Sequence, residues 1–298
     1  MKEKELINII KDIVGSEYIG DDCAYLKDIG IVVSQDSLVE NVHFSLRYTS
    51  AYQLGWKSVM VNISDICASG AEPKYLTIAL SIPEYVDENF VSEFYRGAKD
   101  ASKDVKIVGG DITGSDKLFI SVSAIGSTKA RRISSRSNAK IGYKVIVSGE
   151  HGNSAMGLKI LNSEIKNPQE KEFFIKKHLM PEARIEFSKQ IAQNISADYA
   201  MMDSSDGLAD VLCQIAKASS VKIKIDSSLI PHNKNVDMDT VLYGGEDYEL
   251  VAVVPEDILS KISDYTVIGE AVSGNPAVEI DSEVINDIDN KIYNHFED

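Results

Sequence analysis

Asp203-Ser204-Ser205-Asp206-Gly207 sets two carboxylates and two hydroxyls between an apolar run, Tyr199 to Met202, and a helix-period run at Leu208, Val211, Leu212 and Ile215. The pattern predicts a buried strand that turns into a helix. In an open α/β sheet that junction is where ligands bind. A helix start presents free N–H groups and partial positive charge, which suit phosphate. Carboxylates suit a hard cation such as magnesium. One short stretch thus offers both halves of a metal–nucleotide site, and read alone it is equally an ordinary helix cap.

Acids recur beside other predicted strands. Gly20-Asp21-Asp22 follows Ile19, and by itself reads as a solvated turn. Ser34-Gln35-Asp36-Ser37 closes a strand expected at Ile31-Val32-Val33, and Gly109-Gly110-Asp111 closes one at Lys106-Ile107-Val108. Gly244-Gly245-Glu246-Asp247-Tyr248-Glu249 precedes a strand at Leu250 to Val254. There Glu246 is the informative residue, and Glu249 is expected on an exposed strand face. His43, between Val42 and Phe44, reads as structural unless something else supports it. No acid occurs from Lys117 to Gly149, while Arg131, Arg132, Arg136, Lys140 and Lys144 do. That basic segment is either a solvated loop or an anion site using Arg136 or a neighbour.

The elements that must position these residues alternate. A helix is expected around Leu6, Ile9, Ile10 and Ile13, ending near Gly15. A longer one runs from Ser50, a fitting N-cap, to about Ser69, with Gly70 as the stop. Its apolar residues lie nearly all round, so it should be largely buried. Asp65 inside it then needs a partner or a metal, unless it lies on an exposed face. A strand at Tyr75 to Ile82 and a helix at Asp87 to Lys103 follow. The helix stripe Phe90, Phe94 and Ala98 reads as core, and neighbouring Tyr95 could serve a base pocket. After a strand at Leu118 to Ile125, the Ser-rich stretch near 127–143 separates a domain at 1–138 from one at 139–298. The second half is predicted to carry helices near 170–179, 182–194 and 256–263.

The chain has 298 residues and a net charge of -15. That excludes a nucleic-acid binder relying on a general basic surface. No apolar run is long enough for a membrane span, and the charged N-terminus is not a signal peptide. Cys23, Cys67 and Cys213 are isolated, which argues for reduced, core-type residues in a cytoplasmic protein. The scattered histidines make a zinc hydrolase a poor fit.

Gly20-Asp21-Asp22, Ser34-Gln35-Asp36-Ser37-Leu38-Val39-Glu40, His43-Phe44, Val61-Asn62-Ile63-Ser64-Asp65, Gly70-Ala71-Glu72-Pro73, Gly109-Gly110-Asp111, Asp203 to Leu208 and Gly244 to Leu250 occur in an order that resembles the thiamine-monophosphate kinase family. Each motif is weak alone; the ordered set is specific and spans nearly the whole chain. The resemblance implies an α/β fold with mixed sheets. Two domains of the aminoimidazole ribonucleotide synthetase-like type are expected, the N-terminal one pairing into a homodimer barrel. It implies transfer of the γ-phosphoryl group of ATP to thiamine monophosphate, with several Mg2+ ions and no covalent phospho-enzyme. Position by position, Asp22, Ser34, Gln35, Asp36, Asp65, Asp111, Asp203 and Asp206 would hold metal. Tyr95, Gly110, Asp111, Arg136 and Ser205 would meet ATP, and His43, Glu246 and Tyr293 the thiamine substrate.

Three departures stand out. Gln35 replaces the family's threonine. Arg136 to Tyr143 varies a basic loop while keeping its arginine. His178-Leu179-Met180-Pro181-Glu182-Ala183-Arg184 varies a His-Leu-Arg-Pro-x-Pro-Arg run. A sister ATP-dependent synthetase, or a non-catalytic nucleotide or metal sensor, are the competing readings.

Overall fold

The computed structural model describes residues 3–15, 17–166, 168–285 and 288–292. In the first half come α1 (Glu3–Val14), β1 (Ala24–Leu26), β2 (Ile31–Val39), α2 (Ala51–Ala68), β3 (Glu72–Ile82), α3 (Glu88–Ser102), β4 (Lys106–Gly114) and β5 (Phe119–Ser127). After a tight turn at Arg136–Asn138 come β6 (Lys144–Val147), α4 (Asn153–Leu161), α5 (Lys171–Leu179), α6 (Ile185–Asn194), β7 (Ala200–Asp203) and α7 (Leu208–Ser219). The chain ends in β8 (Lys222–Ile225), α8 (Met238–Tyr243), β9 (Leu250–Val254), β10 (Thr266–Val272), β11 (Ala277–Ile280) and β12 (Glu283–Val284). Among the described residues, no helix is long and apolar enough to cross a membrane.

Two mixed sheets result. The first runs β1-β2-β5-β3-β4, antiparallel except for β3 with β4; the second runs β12-β11-β8-β10-β6-β9-β7, antiparallel except for β11 with β8. The first half has an alternating core. In β5, Ile120, Val122 and Ala124 are buried, while Ser121 and Ser123 turn to the opposite face. The second sheet is covered on both faces, so its central strands are continuous apolar runs. Leu250, Ala252 and Val254 join the core cluster shared with the first half, and Val251 and Val253 join a separate cluster beyond the sheet.

Helix α2 is the axis that joins the halves. Ser50 and Gln53 form a reciprocal cap at its start, a device that contributes about 1 kcal/mol. Gly55 and Gly97 let α2 and α3 approach closely: a Cβ at Gly55 would sit 1.9 Å from the Phe94 carbonyl oxygen, and one at Gly97 1.9 Å from that of Tyr52. Its other side meets the second half through Trp56 Nε1, which donates to Pro181 O at 2.8 Å, and Ser188 Oγ, which donates to Cys67 O at 2.6 Å.

Several expectations change. β2 continues to Val39, so Ser34, Gln35 and Asp36 lie within a strand rather than beyond its end. Full pairing with β5 carries it past the polar residues. β4 likewise continues through Gly109-Gly110-Asp111 by pairing with β3. The expected helix at 256–263 is a 3-10 segment, Glu256–Lys261, and the short α8 was not foreseen. Glu249 is buried, because Arg184 and Ser148 both donate to its carboxylate.

Candidate active site

A cavity of about 890 Å3 lies between the halves. α2 supplies its spine. Lys57, Val61, Ser64 and Asp65 recur three and four residues apart and so share one face. Asn62, on the same helix, accepts the Asp36 N–H through Oδ1 at 3.0 Å, which fixes β2 against α2.

At one end, carboxylate oxygens of Asp22, Asp65 and Asp203 all lie within 4.8 Å of one another. Ser34 donates to Asp65, and Ser64 donates to Asp203. Burial pushes Asp65 and Asp203 well above the usual carboxylate range, and facing carboxylates, Asp22 among them, push them further. Asp22 is also raised by burial, with Arg136 pulling against the rise. Arg136 donates from Nη2 to Asp22 at 2.9 Å and from Nη1 to Gln214 at 2.6 Å. Among the described residues, Arg136 sets a cation on this cluster through its contact with Asp22. An all-oxygen donor set with surplus negative charge is what a hard divalent cation takes.

The Asp203-to-Gly207 turn does join a strand, β7, to a helix, α7. It is also laced to the Gly244-to-Glu249 turn, which the sequence did not reveal. Glu246 N–H donates to Ser205 O at 2.6 Å and Ser204 N–H to Glu249 O at 2.9 Å. Gly245 is needed there, since a Cβ would meet Ser205 O at 2.5 Å. Ser205 and Asp206 line the cavity.

The other end carries Glu246 and His43. Burial alone would raise Glu246, but Lys57 and His178 outweigh it and hold the carboxyl below its usual range. His43 Nδ1 accepts the Val39 N–H at 3.0 Å, which leaves Nε2 as the protonated nitrogen.

Among the residues expected from sequence, Asp22, Ser34, Gln35, Asp36, His43, Asp65, Arg136, Asp203, Ser205, Asp206 and Glu246 line the one cavity. The Gln35 side chain nevertheless bonds Ser121 and Ser123 on the outer face of the first sheet. Gly110 and Asp111 are not brought to the cavity; they lie on β4, an exposed sheet edge. Tyr95 is also apart, packed edge-on against Phe94 at 5.5 Å. Tyr293 lies outside the described residues. Lys57 and His178 were missed as site residues. The available signals were a lysine inside a helix that is apolar nearly all round and, for His178, its place at the head of the varied run that ends at Arg184.

Family models for the AIR synthase related protein match at residues 20–128, the N-terminal domain, and 140–281, the C-terminal domain. Thiamine-monophosphate kinase of Aquifex aeolicus is 37% identical over 284 residues, covering 90% of this chain and 91% of that protein. The Bacillus subtilis protein of the same name is 37% identical over 255 residues, covering 80% and 78%. A solved structure described as "AaThiL complexed with AMPPCP and TMP" superposes with a TM-score of 0.90 at 34% identity, covering 99% of this chain and 97% of that one.

Proposed function

The chain belongs to the thiamine-monophosphate kinase family of AIR synthase related proteins, and from that premise we propose how its residues divide the work. The activity is ATP-dependent phosphorylation of thiamine monophosphate, giving thiamine diphosphate and ADP. The observation that carries the assignment of residues is the cavity itself, which is lined by eleven of the expected residues from both halves.

Asp22, Asp36, Asp65, Asp203 and Asp206, with Ser34 and the Gln35 carbonyl, are assigned to Mg2+. Three carboxylates within 4.8 Å of one another, Asp203 buried and Asp22 and Asp65 half-buried, fit that role, since they stay ionised together only beside added positive charge. When bound, Mg2+ ions neutralise and align the phosphates of donor and acceptor. Arg136 and Ser205 are assigned to ATP. Glu246 and His43, at the opposite end, are assigned to the thiamine part, with His43 Nε2–H as a donor. Tyr293 and Tyr95 keep secondary assignments to substrate and nucleotide.

The acceptor is a phosphate oxygen, already anionic at neutral pH. No general base is required, and none is assigned. Transfer is direct and in line, without a phospho-enzyme, because the chain's work is to orient two phosphates and exclude water. Gly110 and Asp111 can serve ATP and Mg2+ only if a second chain brings them to a cavity. The exposed β4 edge, with Val108 and Ile112 uncovered, supports a homodimer formed there. A cytoplasmic enzyme is the accompanying assignment.

The test is formation of thiamine diphosphate from thiamine monophosphate and Mg-ATP by the purified protein. Binding of thiamine monophosphate with no ADP released would sink the catalytic assignment in favour of a sensor.

A further inference from the structure

Lys57 is 1% exposed and sits in α2 among apolar residues. An ammonium group there is costly unless paired. Its Nζ lies 2.8 Å from Glu246 Oε1, while Glu246 Oε2 lies 3.4 Å from His178 Nδ1. That same Nδ1 lies 3.1 Å from Ser154 Oγ. The Glu246 carboxylate is therefore held from α2 and α5, with Ser154 of α4 bracing His178, yet it still lines the cavity. Ser154, His178 and Glu246 do not form a hydrolytic triad. Both contacts fall on one ring nitrogen, whereas a triad uses the two nitrogens separately.

The backbone agrees with a positional role. Glu246 adopts φ 64°, left-handed for a residue with a side chain, and Tyr248 does the same at φ 53°. Such a conformation persists only where surroundings enforce it. Here the bond from Glu246 N–H to Ser205 O and the Lys57 ion pair do so together. Other groups facing the carboxylate are His43, Tyr48 and Tyr248.

We propose that Lys57 is a positioning residue for substrate recognition, fixing the Glu246 carboxylate as a directional acceptor for a hydrogen-bond donor on the organic part of the substrate. Lys57 does not line the cavity, so it acts through Glu246. A carboxylate already neutralised by Lys57 is a weak general countercharge but an oriented acceptor. It therefore selects a heteroaromatic substrate bearing an N–H group over a bare phosphate monoester. This inference rests on the assignment of Glu246 to thiamine monophosphate.

The experiment compares steady-state kinetics of Lys57→Met, Lys57→Arg, Glu246→Gln and the double variant Lys57→Met/Glu246→Gln. Lys57→Met should raise KM for thiamine monophosphate about tenfold or more, leave KM for ATP within about twofold, and be partly rescued by Lys57→Arg. The double variant should match Glu246→Gln alone, because both act through one group. A normal KM for thiamine monophosphate in Lys57→Met, equal losses for both substrates, or additive losses in the double variant would overturn the inference. If Lys57→Met does not fold, the double variant decides, since it carries no unpaired buried carboxylate. A Glu246→Gln protein with unchanged KM for thiamine monophosphate removes the Glu246 assignment and this inference with it. A raised KM there beside a normal Lys57→Met removes the inference alone.

Discussion

At one end of the cavity Asp22, Asp65 and Asp203 crowd together, with Arg136 in contact with one of them. At the other, Glu246 is met by Lys57 and flanked by His178. Both ends are carboxylate sites at least half withdrawn from water, and they solve the charge problem in opposite ways. The Lys57 ammonium balances the Glu246 carboxylate before any ligand arrives, so that end is ready to read the shape and hydrogen bonding of an organic group. At the three-aspartate end, Arg136 is the cation in contact among the described residues, which leaves the cluster short of positive charge. Its carboxylates are raised by burial and by each other, a cost that a cation would relieve if one bound there as proposed. The difference teaches that the incomplete end is the one meant to receive charged material from solution.

The sharpest way to break this contrast is Asp203→Asn. The amide keeps a partner for the Ser64 hydroxyl and removes one charge of the crowd. Turnover should fall by about a thousandfold, since a lost contact to developing or bridging charge has effects of that order. The metal-free protein should become more stable, by on the order of 1 kcal/mol. Activity assays and thermal melts in chelator check both halves. A variant that is active, or one that is destabilised without metal, would show that Asp203 is not part of an unbalanced cation site.

The next effect sharpens the same point without a mutation. Mg2+ at about 100 times its dissociation constant should stabilise the wild-type protein by about 2.7 kcal/mol. The gain should shrink in Asp203→Asn and persist in Glu246→Gln. Calorimetric melts across a magnesium titration measure it. Equal gains in both variants would mean that the two ends do not differ in the way described.

The sequence made the acid-rich end legible because carboxylates beside apolar runs are a local pattern. Asp203, Asp36 and Asp65 each sit on or next to an apolar run of their own element, so strand and helix periods were enough to mark them. Their gathering was not local. It depends on α2 passing between two sheets, and the close approach of α2 to α3 at Gly55 and Gly97, against Phe94 O and Tyr52 O, is visible only in three dimensions. The balanced end was harder. Lys57 and His178 are 121 positions apart in the chain and meet only at Glu246. Strand ends were misplaced at β2 and β4 because pairing with β5 and β3 overrode the polar residues that looked like stops. Asp111 was marked by its motif, but a single chain gives it no place at the cavity.

The smallest effect tests the balanced end through pH. Burial, with Lys57 adding to it, lowers His178 from its ordinary 6.5 to about 4. The unfolded chain therefore takes up a proton near 6.5 while the folded chain refuses it until about 4. Stability from this group is complete above 6.5 and is lost as pH falls towards 4. The crowded carboxylates have the opposite sign. Their folded values lie above the ordinary 3.8, so the metal-free fold gains stability as acid is added above that value. His178→Gln isolates the first contribution, because glutamine can still bond Ser154 without titrating. Relative to that variant, the wild type should lose about 1 kcal/mol between pH 8 and pH 6, and about 2 kcal/mol by pH 5. Urea melts of the two proteins at each pH give the difference directly. A difference that stays flat across that range would mean His178 takes up its proton in the fold as readily as in the unfolded chain, and the Glu246 end would then carry one more positive charge at pH 5 than the contrast allows.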